Sequence, residues 1–110
     1  MYKTMNDNRN DRLQEAVREV AAEFLAREAN RNSLITVTRA EISSDGKRVN
    51  IYLSVFPDKV EEQALAFANR NRTEFSDFFM KRVRGLPPHV EFILDRGEKN
   101  RQRLDELSNQ

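Results

Sequence analysis

The sequence predicts an α+β fold, a three-stranded mixed sheet with its helices packed on one face, on three observations. Apolar residues recur at three- and four-residue spacing from Asp11 to Ala29 and again between Asp58 and Val83, as on amphipathic helices. Two strand-like segments flank Asp45-Gly46, the chemistry of an antiparallel hairpin turn. A last alternating segment follows the second helical region, and a helical crossover between neighbouring strands favours parallel pairing.

The first helix is carried by Leu13, Val17, Val20, Phe24 and Leu25, with Ala16 and Ala21 on the same face. Its other face holds Arg12, Glu15, Arg18, Glu19, Glu23 and Arg27, where Glu15 and Glu19 lie within a turn of arginines. Asn30 to Ser33 ends it. The segment Leu34 to Ile42 is rich in β-branched residues, and Val49, Ile51, Leu53 and Val55 then alternate with polar neighbours. The first of these strands alternates less cleanly, which predicts a bulge near Thr38. In the turn, Gly46 adopts positive φ freely, and Asp45 is expected to tolerate it.

Pro57 closes the second strand, and Asp58 with Glu61 has capping-box spacing for a helix through Ala64, Leu65 and Ala68. The apolar stripe breaks at Asn69-Arg70-Asn71-Arg72 and resumes with Phe75, Phe78, Phe79 and Val83, so two helices meet at a kink or one helix bends. Asn71 and Glu74 repeat the cap spacing. Gly85 sits where a C-cap belongs, behind Lys81, Arg82 and Arg84, whose charges suit the negative helix end. Leu86-Pro87-Pro88 forces an extended approach to the third strand, Val90 to Leu94. The domain plan is a flexible N-terminal tail over 1–8, one domain over 9–95, and a charged tail or short helix over 96–110.

At 110 residues there is core for one domain, and an apolar fraction of 38% against 34% charged describes a single core under a heavily solvated surface. The absence of cysteine excludes disulfides and thiolate metal sites and fits a reducing, cytoplasmic compartment. No apolar run approaches the ~20 residues of a membrane span, so neither membrane anchor nor export signal is expected. A net charge of +1 requires any nucleic-acid binding to come from a local patch. His89 has no second histidine or cysteine to complete a metal or nucleophile pair, and the carboxylates sit on charged helical faces with no cause for a raised pKa. No enzyme, cofactor or small-molecule substrate is therefore expected.

Several strings, in order, resemble the ribosome-binding factor A family: Arg12-Leu13 opening the first helix, Ile35-Thr36-Val37-Thr38 through Glu41-Ile42-Ser43 to Asp45, and Val49 to Val55 with Tyr52 and Ser54. Pro88 to Phe92 resembles its last strand, and Arg103-Leu104-Asp105 with Glu106-Leu107 its closing helix. The resemblance covers roughly residues 9 to 107. It implies a type II KH-like α-β-β-α-α-β fold and a non-enzymatic bacterial protein that acts in late maturation of the small (30S) ribosomal subunit, including rRNA processing. The family usually marks the kink between its last two helices with Ala-x-Gly, whereas no glycine lies between Gly46 and Gly85 here. Asn69 or Asn71, tolerant of left-handed geometry, is the expected substitute. An RNA-binding KH domain carries Gly-x-x-Gly at this junction, so ordinary KH recognition of single strands is not expected.

The candidate RNA-binding residues are Asn69, Arg70, Asn71 and Arg72 at the kink with Lys81, Arg82 and Arg84 beyond it, five cations against Glu74 and Asp77. On a helical wheel Lys81 and Arg84 fall away from the Phe78, Phe79 and Val83 stripe, while Arg82 falls at its edge, suited to snorkelling or capping. Arg39, Lys47 and Arg48 form a weaker cluster by the hairpin. By composition alone both clusters read as solvated charge; the resemblance favours phosphate contact at the kink cluster, while the hairpin cluster is explained better by solvated edge charge. The spacing of Phe75, Phe78 and Phe79 assigns them to the core. The partner is expected to be the small subunit, through rRNA and ribosomal protein, with this chain a monomer. The alternative is a KH-like module that binds another protein through its helical face, its arginines at the rim. A small nuclease with Asp and Glu ligands is a distant third, recognisable by activity lost to a chelator.

Overall fold

A computed structural model describes residues 5–28 and 33–97. Helix α1 (Met5–Glu28) is followed by strands β1 (Leu34–Ile42) and β2 (Arg48–Phe56), helices α2 (Glu61–Arg70) and α3 (Arg72–Met80), and strand β3 (His89–Leu94). The sheet runs β1-β2-β3, antiparallel between β1 and β2 and parallel between β2 and β3, as the crossover requires. Val17, Ala21 and Leu25 of α1 meet Val49, Ile51 and Leu53 of β2, Phe92 of β3, and Phe75 and Phe79 of α3 in one core. All the helices lie on that face, and the expected α+β architecture is the observed one.

Helix α1 begins earlier than its apolar stripe. It takes in positions 5–8, which the sequence assigned to the N-terminal tail. Nothing from Met5 to Asn10 is Pro or Gly, and extending a formed helix costs far less than nucleating one, so the helix can run ahead of its apolar stripe. Arg18 pairs with Glu15 one turn away, as the spacing predicts, and also comes within 3.9 Å of its sequence neighbour Glu19.

The bulge falls where the broken alternation put it. Val37 pairs with Leu53 and Arg39 with Tyr52, leaving Thr38 as the extra residue. Both Val37 and Ala40 are thereby buried, three positions apart in a strand whose ordinary repeat is two. The Thr38 hydroxyl donates to Asp95 Oδ2 at 2.6 Å, tying the bulge to the residue that follows β3.

Three local expectations are corrected. Gly46 alone takes positive φ in the hairpin turn, at 73°; Asp45 contributes through its carboxylate, which accepts from the Ser43 hydroxyl (2.6 Å) and the Lys47 amide (3.0 Å). Those bonds, the Ser43 hydroxyl first, hold the Asp45 carboxyl below the usual range. A 3₁₀ turn, Asp58–Val60, intervenes before α2, whose N-cap is Val60 and has no side-chain cap bond. Helix α3 stops at Met80, short of Val83, where the amides of Arg82 and Val83 both bond the Phe79 carbonyl and tighten the final turn. Gly85, at φ 101°, then turns the chain toward β3. The expected closing helix from Arg103 to Leu107 lies outside the described residues.

Candidate nucleic-acid interface

The junction between α2 and α3 is a single residue, Asn71, at φ −102° and ψ 19°. Among the described residues no non-glycine has positive φ, so neither asparagine substitutes for a glycine in left-handed geometry; the turn is made in the bridge region. The Asn71 amide donates backward to the Phe67 carbonyl at 2.8 Å and closes the end of α2 rather than capping α3. Asn69 faces the sheet. Its Nδ2 donates to the Phe92 carbonyl at 3.1 Å and its Oδ1 accepts from the Phe92 amide at 3.0 Å, occupying the edge of β3 that has no neighbouring strand. Both side chains hold the bend in place, which leaves Arg70 and Arg72 as the groups the bend presents.

Among the described residues, Arg70, Arg72, Lys81 and Arg84 are exposed and no carboxylate lies within ion-pair distance of any of them. They do not form one cluster at the bend. Nine positions of α3 separate Arg72 from Lys81, roughly 13 Å of helix axis, so Arg70 and Arg72 stand at one end and Lys81 and Arg84 at the other.

Arg82 is committed elsewhere. Its guanidinium lies 3.9 Å from the Phe78 ring centroid and donates to Glu23 of α1 at 3.2 Å, as its position at the stripe edge suggested. Phe75 and Phe79 are fully buried, whereas Phe78 is half-buried, with Phe24 at 5.4 Å and Arg27 at 5.5 Å from its ring centroid. Sequence reasoning placed all three rings in the core and left Arg27 out of the candidates; only the packing of α1 beside α3 brings Arg27 there.

The hairpin cluster divides as well. Arg39 stacks on Tyr52 at 4.1 Å and pairs with Glu41 at 3.4 Å, so it belongs to the sheet surface. Burial, with the Glu41 hydrogen bond second, raises the Tyr52 phenol above its ordinary pKa. Lys47 is exposed at the turn, and its carbonyl accepts from the His89 amide at 3.1 Å. Arg48 pairs with Glu91 at 2.9 Å across the parallel strands. An open cavity of about 370 Å³ is lined by Arg48, Arg72, Thr73, Ser76, His89 and Glu91, so the sheet brings one residue of the weaker cluster to the side of the kink. Among the described residues no group of three or more His, Asp or Glu is placed to hold a metal ion, and no helix is long and apolar enough to cross a membrane.

The family model for ribosome-binding factor A matches residues 9–108. The chain belongs to the ribosome-binding factor A family. A ribosome-binding factor A from Coprothermobacter proteolyticus is 29% identical over 106 residues, 94% of this chain and 77% of the relative. The crystal structure of ribosome-binding factor A from Thermus thermophilus superposes with a TM-score of 0.70 at 26% identity, covering 80% of this chain and 98% of that one. The solution structure of a Thermotoga maritima protein, proposed to be a ribosome binding factor A, gives 0.66 at 25% identity, over 81% and 89% of the two chains. As a member of the ribosome-binding factor A family, the chain is a ribosome-associated factor, in a group named for binding rather than for a reaction.

Proposed function

We propose that this protein associates with the small ribosomal subunit and assists its late maturation, including rRNA processing, by binding rRNA phosphates through the basic surface around α3. The observation that carries the proposal is the set of Arg70, Arg72, Lys81 and Arg84, exposed and without carboxylate partners among the described residues. Guanidinium and ammonium groups not committed to internal pairs release counterions when they meet phosphate, and that release supplies affinity. The rigid frame supplies position: Asn69 and Asn71 lock the bend while the phenylalanine core locks α3 against the sheet. In this reading the protein acts in the bacterial cytoplasm as a monomer, without a cofactor and without turning over a substrate.

Reversing Arg70 and Arg72 to Glu tests it. Both are exposed, so the fold should persist by circular dichroism, while cosedimentation with small subunits at moderate salt should fall by about tenfold or more, two phosphate contacts having become repulsive. Unchanged cosedimentation would remove this surface from the interface. A second reading, in which the partner is a protein, has one observation in its favour: Leu34 and Phe56 lie opposite each other on the sheet face away from the helices, 65% and 70% exposed. Binding through that pair would be nearly indifferent to salt.

A further inference from the structure

The cavity beside α3 joins residues that the sequence holds far apart: Arg48 opens β2, Arg72, Thr73 and Ser76 belong to the first turns of α3, and His89 and Glu91 open β3. Its volume, about 370 Å³, is at the small end of ligand sites, which run from about 300 to 1,000 Å³. That space admits a phosphate with its sugar and excludes a helix of either nucleic acid. The lining is mostly polar, with two arginines against one carboxylate. Arg72 has no carboxylate partner among the described residues, and the Arg48 bond to Glu91 occupies one of five guanidinium donors. Glu91 therefore both orients Arg48 and opposes any anion that enters.

We infer that this cavity seats one phosphodiester of the bound RNA strand, with Arg72 and Arg48 as its cationic partners, the Thr73 hydroxyl as a neutral donor, and Glu91 as a built-in restraint on affinity. The inference rests on the proposed binding of rRNA and adds a defined subsite to it. The Arg48–Glu91 pair is what makes it testable. Arg48→Gln and Glu91→Gln break the same surface ion pair, so a merely structural role would move both variants in one direction. A phosphate subsite moves them in opposite directions.

Cosedimentation of the full chain with small subunits across a salt series reads the difference. Arg48→Gln should bind roughly tenfold more weakly, the loss of one charge-assisted hydrogen bond, with the slope of log K against log salt reduced by about 0.7 to 0.9. Glu91→Gln should bind about threefold more tightly, the relief of a carboxylate at roughly 7 Å from a phosphate in watery surroundings. Excess short ribo-oligonucleotide should compete, whereas excess uridine 5′-monophosphate should not. Equal weakening of both variants, or no change in either, overturns the subsite while wild-type binding leaves the proposed function standing. Competition by the mononucleotide at least as strong as by the oligonucleotide overturns the assignment to a phosphodiester. Failure of the wild-type protein to cosediment overturns the proposed function and the subsite with it.

Discussion

Asn69 shows how one side chain can decide what an edge strand does. A strand at the side of a sheet presents unpaired amides and carbonyls that can recruit another strand. The primary amide of Asn69 carries a donor and an acceptor on one plane and satisfies the amide and carbonyl of Phe92, imitating one step of a neighbouring strand. Truncation to Ala leaves both groups at a half-buried edge, so Asn69→Ala should cost about 2 to 3 kcal/mol in urea unfolding. Hydrogen exchange at the Phe92 amide should accelerate more than at other core amides, since its acceptor is the atom removed. A loss below about 0.5 kcal/mol would mean that water replaces the asparagine at little cost. Asn71, two positions on, has the same chemistry and another task, because its amide reaches back to Phe67 in its own helix.

At the scale of elements, β1 is governed by its bulge. Ile35 and Val37 face the core with one parity, Ala40 and Ile42 with the other, and Thr38 absorbs the change. Deleting Thr38 would restore an uninterrupted period of two in which Ile35, Val37, Ala40 and Ile42 keep the core face and Arg39 and Glu41 stay outward, so it removes the bulge and its bond to Asp95 without burying a charge. The deletion variant should therefore unfold cooperatively with a modestly lower Tm, as should Thr38→Val, which keeps the residue count and removes only the hydroxyl bonded to Asp95. Loss of cooperative unfolding in the deletion variant would show that the bulge itself, beyond the alternation of faces, is needed to seat β1 on the sheet. Helices α2 and α3 follow a related logic, with one residue of irregular backbone setting the direction in which Arg70 and Arg72 leave the surface.

For the molecule as a whole, a net charge of +1 has to be reconciled with binding to a polyanion. The reconciliation is internal pairing. Arg18, Arg39, Arg48 and Arg82 each lie within ion-pair distance of a carboxylate, while Arg70, Arg72, Lys81 and Arg84 do not among the described residues. Binding to small subunits should therefore fall with salt on a slope of about −3.5 to −4.5, roughly 0.7 to 0.9 for each of these four cations around α3 and for Arg48, whose pair with Glu91 leaves donors for a phosphate. Neutralising Lys81 or Arg84 should lower that slope by about one unit, and neutralising Arg82 should leave it almost unchanged while weakening the seat of α3 on α1. A slope near zero in the wild-type protein would favour the protein partner and the apolar pair Leu34 and Phe56.

Element order, strand pairing, the bulge and the core aromatics Phe75 and Phe79 were legible in the chain, because periods of two and of three to four report directly which face each segment buries. Helix ends were less legible. Polar turns at Met5 and tightened turns after Met80 leave no mark on an apolar pattern. For function, the sequence by itself determined that cations gather around the last helix and that no thiol chemistry is available. Only the tertiary structure decided which cations remain free, that Asn69 serves the sheet edge, and that Arg48 meets Arg72 across a cavity. The reason is physical: burial follows from local periodicity, whereas the partner of a charged side chain depends on what a distant segment brings within about 4 Å of it.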